Sequence, residues 1–261
     1  MYLNCLTSKQ FFKVLGTLKL LLLMLITINT QALPRTITIF EYHQFPPMVV
    51  SKQKSIGLSY GFARYLTAKS KGVFSFKVET LSMQALQNHL MDEKTAMVVF
   101  VSPVWFDDVG MEKYLWSDVV LTLKDQLVSK KDKPFNFQEA GSFKDKIIGG
   151  IKGYTYPVFD SMVSQQQAIR LDFDSDLESL KALKSNEDLD AVIVNEGPLK
   201  FYSQILGIEH DIFIASQPLG IYPVRVLLTQ DLSNVHEFLQ NTLSDMEKDK
   251  AWLNLKALYL P

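Results

Sequence analysis

The stretch Ile147 to Pro157 (IIGGIKGYTYP) holds the first residues whose types and spacing suggest chemistry. Gly149, Gly150, Lys152 and Gly153 follow an apolar run, and Pro157 falls where a first helical residue belongs. A glycine-bearing turn entering a helix presents free N–H groups to an anion, and Thr155 adds a hydroxyl donor. The other reading is an ordinary strand-to-helix turn, whose glycines answer only to backbone geometry. Glu196 follows the apolar run Ala191 to Val194 and reads either as a contact for a ligand amine or hydroxyl or as a solvated carboxylate at a helix start. With His43 it makes the one acid/base pair the spacing offers. Asp107 and Asp108 read as solvated, and His89, His210 and His236 as surface residues. Four scattered histidines without an HExxH spacing, and a lone Cys5, offer no zinc site. There is no GxSxG, P-loop or triad spacing, so no catalytic residue and no cofactor is expected.

Positioning these groups falls to elements that alternate along the chain. Thr36 to Phe40 reads as a strand that ends before Pro46 and Pro47. Leu58, Phe62, Tyr65 and Leu66 share a helix face, with Gly72 beyond it. Phe74 to Glu79 is a strand, Ser82 caps a helix bearing Leu86 and Leu90, and Met97 to Val101 is a strand buried on both faces. Lys130 to Lys146 is polar and expected on the surface. Beyond it come strand Ile147 to Ile151, a loop and helix over Tyr154 to Arg170, and a capping box of Ser175 and Glu178 opening a helix with Leu177, Leu180 and Leu183. Strands Ala191 to Val194 and Tyr222 to Leu228 follow, then a helix through Val235, Phe238, Leu239 and Leu243. Such alternation predicts an α/β fold of mostly parallel sheet in two β/α lobes, with strands crossing near Leu121 to Lys124 and Gln217 to Tyr222 and a ligand cleft at the junction.

The N-terminus reads as a secretory signal: Lys9, Lys13 and Lys19, then an apolar run from Leu20 to Ile28, then small residues favouring cleavage after Ala32. Retention as an anchor is the alternative, although the run is short of the ~20 residues a membrane helix needs. Cleavage takes the formal charge from −1 to about −4, which leaves no electrostatic footprint for nucleic acid. It also removes Cys5 and with it all thiol chemistry. The expected layout is signal peptide 1–32, a first lobe of 33–124 and 218–261, and a second lobe of 125–217.

In order along the chain, Phe45-Pro46-Pro47-Met48, Gly57 to Ala68, Trp116-Ser117-Asp118, Phe143 to Tyr156, Ser179 to Asn195 and Leu239 to Tyr259 resemble the motifs of the extracellular solute-binding proteins of family 3, the type II periplasmic binding fold. That resemblance implies a periplasmic, monomeric binder that closes on a small molecule and is read by a permease or a sensor. It also implies a clamp for amino acids that this chain lacks. The family's arginine after the third strand has no counterpart in Ser102 to Lys113, where its place falls near Gly110. The family's aspartate after strand one is Tyr42, its aspartate after the second-lobe strand is Asn195, and Ser59 to Gly61 lacks the usual helix acid. An ordinary L-α-amino acid is therefore not the expected cargo.

Aromatic and neutral polar groups stand in for the clamp: Tyr42, Phe45, Ser102, Trp105, Trp116 and Tyr154 are expected at the cleft with Lys152, Thr155, Asn195 and Glu196. Rings stack on flat or cationic ligands at ~0.5 to 2 kcal/mol per contact. Trp105, in a polar loop where no periodicity calls for burial, is the strongest of them, and Trp116 on a strand reads as partly core. Two other readings stay open: a cyclohexadienyl-dehydratase-like enzyme on the same fold, and a lobe pair that recognises a partner and holds no ligand.

Overall fold

A computed structural model describes residues 33–260. The expected signal and its cleavage near Ala32 lie outside them. Among the described residues no helix is long and apolar enough to cross a membrane.

The first half opens with β1 (Arg35–Glu41), α1 (Leu58–Lys69), β2 (Phe74–Thr80), α2 (Met83–Met91) and β3 (Met97–Val101). β1 lies between β2 and β3 and is parallel to both. The apolar face of α1 buries Leu58, Phe62 and Leu66 completely, and Ser82 caps α2 by accepting the Ala85 N–H at 3.2 Å. β3 is buried along its whole length, as its unbroken apolar run demands.

A short β4 (Leu115–Trp116) precedes the long β5 (Leu121–Lys130), which leads into the second half. There β6 (Ile147–Ile151), α3 (Pro157–Ser164), β7 (Ile169–Phe173), α4 (Asp176–Ser185), β8 (Ala191–Asn195), α5 (Glu196–Leu206) and β9 (Ile212–Ile214) follow. β6 is parallel to both β7 and β8. The chain returns in β10 (Gly220–Leu228) and ends in α6 (Ser233–Leu243) and α7 (Lys250–Tyr259).

One continuous sheet order, β2-β1-β3-β10-β5-β8-β6-β7, joins the halves. Apart from the short β4 and β9, which pair antiparallel with β10 and β5, each half is parallel within itself, and the two antiparallel strands β5 and β10 stitch them together. The expected parallel sheet is therefore interrupted at its middle by the crossing strands. Asp125 is where the stitch turns: it is in register with Gly220 of β10 on one side and with Asn195 of β8 on the other. Separate cores fill the two halves: clusters around Phe62, Phe100, Val226 and Trp252 and around Leu86, Phe106 and Leu227 in the first, and around Leu127, Phe143, Phe159 and Ile193 and around Leu180, Val192 and Leu199 in the second.

Three expectations change. The polar stretch after Lys130 is not wholly superficial, because it sends Phe137 and the fully buried Phe143 into the second core, where Phe143 packs 5.2 Å from Phe159. Ile169 to Phe173 is a strand, not the tail of a helix. Asp108 is buried, not solvated.

Candidate functional site

In open parallel sheets ligands collect beyond the carboxyl ends of the strands. Here the carboxyl ends of β1 and β3 in one half, and of β6, β7 and β8 in the other, carry the polar groups of interest.

Glu41, the last residue of β1, is fully buried. Its Oε1 accepts the backbone N–H of His43 at 2.7 Å and lies 3.0 Å from His43 Nδ1, and its Oε2 accepts the hydroxyl of Ser59 on α1. A carboxylate ringed by donors takes its bond from the Nδ1 proton, which orients the imidazole. Only 6% of the His43 side chain is exposed. Its Nε2 meets no hydrogen-bond partner among the described residues, yet it is not sealed from solvent. Rings surround it: Tyr42 at 4.0 Å, Phe45 at 5.5 Å and Trp105 at 6.1 Å.

Ser102 follows β3 directly and shows the same property, being buried with a hydroxyl that has no partner among the described residues. The chain reaches it through a bulge, since the pairing of β10 with β3 shifts between Arg225 and Leu227. Phe100 within that bulge has a φ of 58°. A bulky residue in the left-handed region costs ~1–3 kcal/mol and occurs where a strand end must be re-aimed. The next turn, Pro103 to Phe106, carries Trp105, whose ring also lies 5.9 Å from Tyr222.

Tyr222 extends the wall toward the crossing strands. A Cβ on Gly220 would lie 2.4 Å from the Tyr222 hydroxyl, so only glycine lets the phenol lie over the point where Gly220 pairs with Asp125. Burial, then the Asp125 carboxylate beside it, pushes Tyr222 up to about 12. Burial raises Asp125 itself, against the stabilising bonds from Asn195 and Tyr222. Asn195 Nδ2 donates to Asp125 Oδ1 at 3.2 Å while its Oδ1 accepts the Gly197 N–H at 3.3 Å, opening α5. An aspartate at 195 would face Asp125 as a like charge, so the amide here and the acid on β5 belong together.

Asp176, first residue of α4, lies beyond the end of β7 and is buried. Burial, reinforced by Asp125, lifts it from 3.8 to about 7. Tyr154 keeps 45% of its surface exposed, while burial of its hydroxyl and the nearby Asp176, Asp125 and Glu41 raise it to about 12. Tyr42, on the other half, is raised well above the ordinary phenol by burial, then by Tyr154 and Glu41. These couplings run across the junction and all carry the sign of negative charge. Glu196, raised by burial against the pull of Lys124 3.8 Å away, adds another acid.

The halves also touch directly. A Cβ on Gly197 would fall 2.5 Å from Cδ of Pro47, so the start of α5 rests on the turn after β1. Lys200 Nζ donates to the Leu260 carbonyl at 2.6 Å.

The structure thus brings Tyr42, Phe45, Ser102, Trp105, Tyr154, Asn195 and Glu196 to one junction. Trp116 does not join them. It is buried against Phe106 and Tyr114, and its indole N–H goes to Asp108 at 2.7 Å. Asp108 also accepts the N–H groups of Glu112, Lys113 and Tyr114. Burial alone would raise it, and those four bonds hold it below the usual carboxylate range.

Nor does the turn after β6 behave as an anion cradle. Gly149 and Gly150 lie within β6, where a Cβ would strike Phe173 at 2.7 Å and the Tyr156 ring at 2.8 Å. Asp160 accepts the Tyr156 N–H at 2.7 Å, placing an acid where the anion would sit. Arg170 is spent on Asp160, Asp172 and the carbonyls of Ile151 and Tyr154. Lys152 and Thr155 are exposed and make no side-chain hydrogen bond among the described residues. A surface hollow of about 530 Å³ lined by Lys131, Lys184 and His210 lies at the far end of β5, away from this junction.

Sequence reasoning missed Glu41, Asp125 and Asp176. An acid inside the apolar strand Leu121, Leu123, Leu127 was a usable signal for Asp125, and an acid closing the run TITIF was one for Glu41. Asp176 resembles any acid in the first turn of a capped helix and gives none.

Two β/α halves, stitched by crossing strands and turning their strand ends toward a shared junction, define the architecture of the two-lobed solute-binding proteins. Solved structures agree. An ancestral arginine-binding protein bound to arginine superposes with a TM-score of 0.65 at 17% identity, covering 87% of this chain and 98% of that one. The GluR0 ligand-binding core with L-glutamate gives 0.65 at 12% identity over 88% and 99% of the two chains. An ancestral amino-acid-binding protein, a precursor of cyclohexadienyl dehydratase, gives 0.63 at 15% identity over 87% and 96%. At such identities the likeness is one of fold. No family model and no curated protein matches the sequence.

Proposed function

We propose that the chain is a solute-binding protein that captures a small molecule between its lobes, and that it works in the periplasm once residues 1–32 are removed. Its lobes divide at the crossing strands, with 33–124 and 218–261 in one and 125–217 in the other. One observation carries this reading. Nearly buried polar atoms without partners, His43 Nε2 and the Ser102 hydroxyl, open among rings at the strand ends of one lobe, opposite Tyr154, Asn195 and Asp176 of the other. These atoms of otherwise buried side chains bond to nothing in the described chain yet are open at the junction, which leaves them free for a ligand. A ligand contacting both lobes stabilises the closed arrangement by its differential affinity, and closure is the signal that a permease or sensor reads.

The cargo is a small polar or aromatic molecule other than a standard L-α-amino acid, because the described cleft lacks a free arginine for a carboxylate. Arg170 is tied to Asp160 and Asp172, and Arg225 to the Ser117 carbonyl. Calorimetry of the monomeric mature protein against a small-metabolite library tests the reading. Binding at one site per chain without product supports capture. Product formation moves the protein to the enzyme class, with His43 oriented by Glu41 as the base to test first. Absence of any ligand across the library removes the reading.

A further inference from the structure

The polar groups of the junction share one character, which narrows what can occupy it. With Nδ1 held 3.0 Å from Glu41 Oε1, the imidazole of His43 turns its other nitrogen, Nε2, to the junction. Across the junction stand the carboxyls of Asp125 and Asp176, and Tyr222 bridges toward them from the ring of Trp105. Cations that would satisfy these acceptors are absent from the described surroundings. Lys124 points to Glu196, and neither Asp125 nor Asp176 has a lysine or arginine acting on it. Two buried acids at the junction, opposed by no cation among the described residues and flanked by rings, leave a shortage of positive charge and of N–H donors.

We infer that the cleft takes an organic cation, an amine or guanidine attached to a flat or aliphatic body, that carries no carboxylate. The cationic head sits between Asp125 and Asp176, the body packs on Trp105 and Phe45, and an N–H reaches His43 Nε2. Cation and ring are matched here, since aromatic faces attract positive charge. A carboxylate on the ligand would meet only acceptors and negative potential, and like charge at a desolvated contact is strongly disfavoured. This inference rests on the reading of the cleft as the ligand site and assigns that site its ligand class.

The experiment is calorimetric titration of the mature chain at pH 8 with two amines and their carboxylate-bearing counterparts. The pairs are 2-phenylethylamine with L-phenylalanine and agmatine with L-arginine, and 2-phenylethanol serves as the neutral control. The expected result is that at least one amine binds about tenfold or more tightly than its acid counterpart and than the alcohol. Asp176→Asn and Asp125→Asn should each weaken that amine about tenfold or more while the folded circular dichroism signal persists. An acid counterpart binding as tightly as its amine overturns the inference. So does amine affinity unchanged in both aspartate variants, or no heat from either amine at millimolar concentration. The reading of the cleft as a ligand site falls only if the wider metabolite library also gives nothing, so the two failures are distinguishable.

Discussion

Replacing Asp176 by asparagine should make the protein more stable and its cleft less useful. Asp176 is buried and faces Asp125 from β5, Tyr154 from the turn after β6, Tyr202 from α5 and the Asn195 backbone of β8. Burial, then Asp125, lifts it from 3.8 to about 7. Between these values the folded chain holds a proton that the unfolded chain has released. Stability from this group is therefore fully present below about pH 4, falls as pH rises through the window, and is gone above about pH 7. At about 1.4 kcal/mol per pH unit the window spans up to about 4 kcal/mol, and we expect about 2–4 kcal/mol to be measurable. Asparagine keeps the shape and carries no charge. Urea unfolding of both proteins should give similar stabilities at pH 4 and an advantage of about 2–4 kcal/mol for Asp176→Asn at pH 8. A variant destabilised equally at both pH values, or a difference that does not change with pH, would refute the burial argument.

Other substitutions probe other contacts. Gly197→Ala places a methyl 2.5 Å from Cδ of Pro47 while adding ~1 kcal/mol of helix preference, so ligand affinity should drop about 5- to 50-fold with no fall in Tm, measured by titration and thermal melting. Asp108→Ala leaves three backbone N–H groups and the Trp116 indole without their acceptor and should cost about 3 kcal/mol in urea unfolding, with a shifted tryptophan emission. Thr155→Ala, at an exposed and unbonded site, should change ligand affinity by less than about threefold in the same titration.

What was legible in the sequence follows the strength of its periodicity. β1, β3, β8 and the faces of α1 and α6 could be read because each is bounded by clear punctuation and buries an apolar face. β7 escaped because it is an edge strand pairing only with β6; its residues are all exposed or half-buried, so IRLDF carries no burial pattern. Phe137 and Phe143 escaped because a polar stretch can thread single rings into a core without any repeat. The site divides in the same way. Rings at loop positions, such as Trp105 and Tyr42, stand out from their polar neighbours, and so their place at the junction was readable. Trp116 was ambiguous because an indole on a strand serves core and cleft equally well until its N–H partner, Asp108, is known. Asp125 and Asp176 acquire their meaning from being brought near each other across 51 residues of chain, which composition and local spacing do not carry.

Joint capture of one small molecule by both lobes is the proposed role of the protein. Its most direct test is the stoichiometry and affinity of the best ligand from the titration series, compared among the native chain, Trp105→Ala on one lobe and Asp176→Asn on the other. One site per chain is expected, weakened about tenfold or more by either change. Binding that survives either substitution within about threefold, or that needs more than one site per chain, would contradict it.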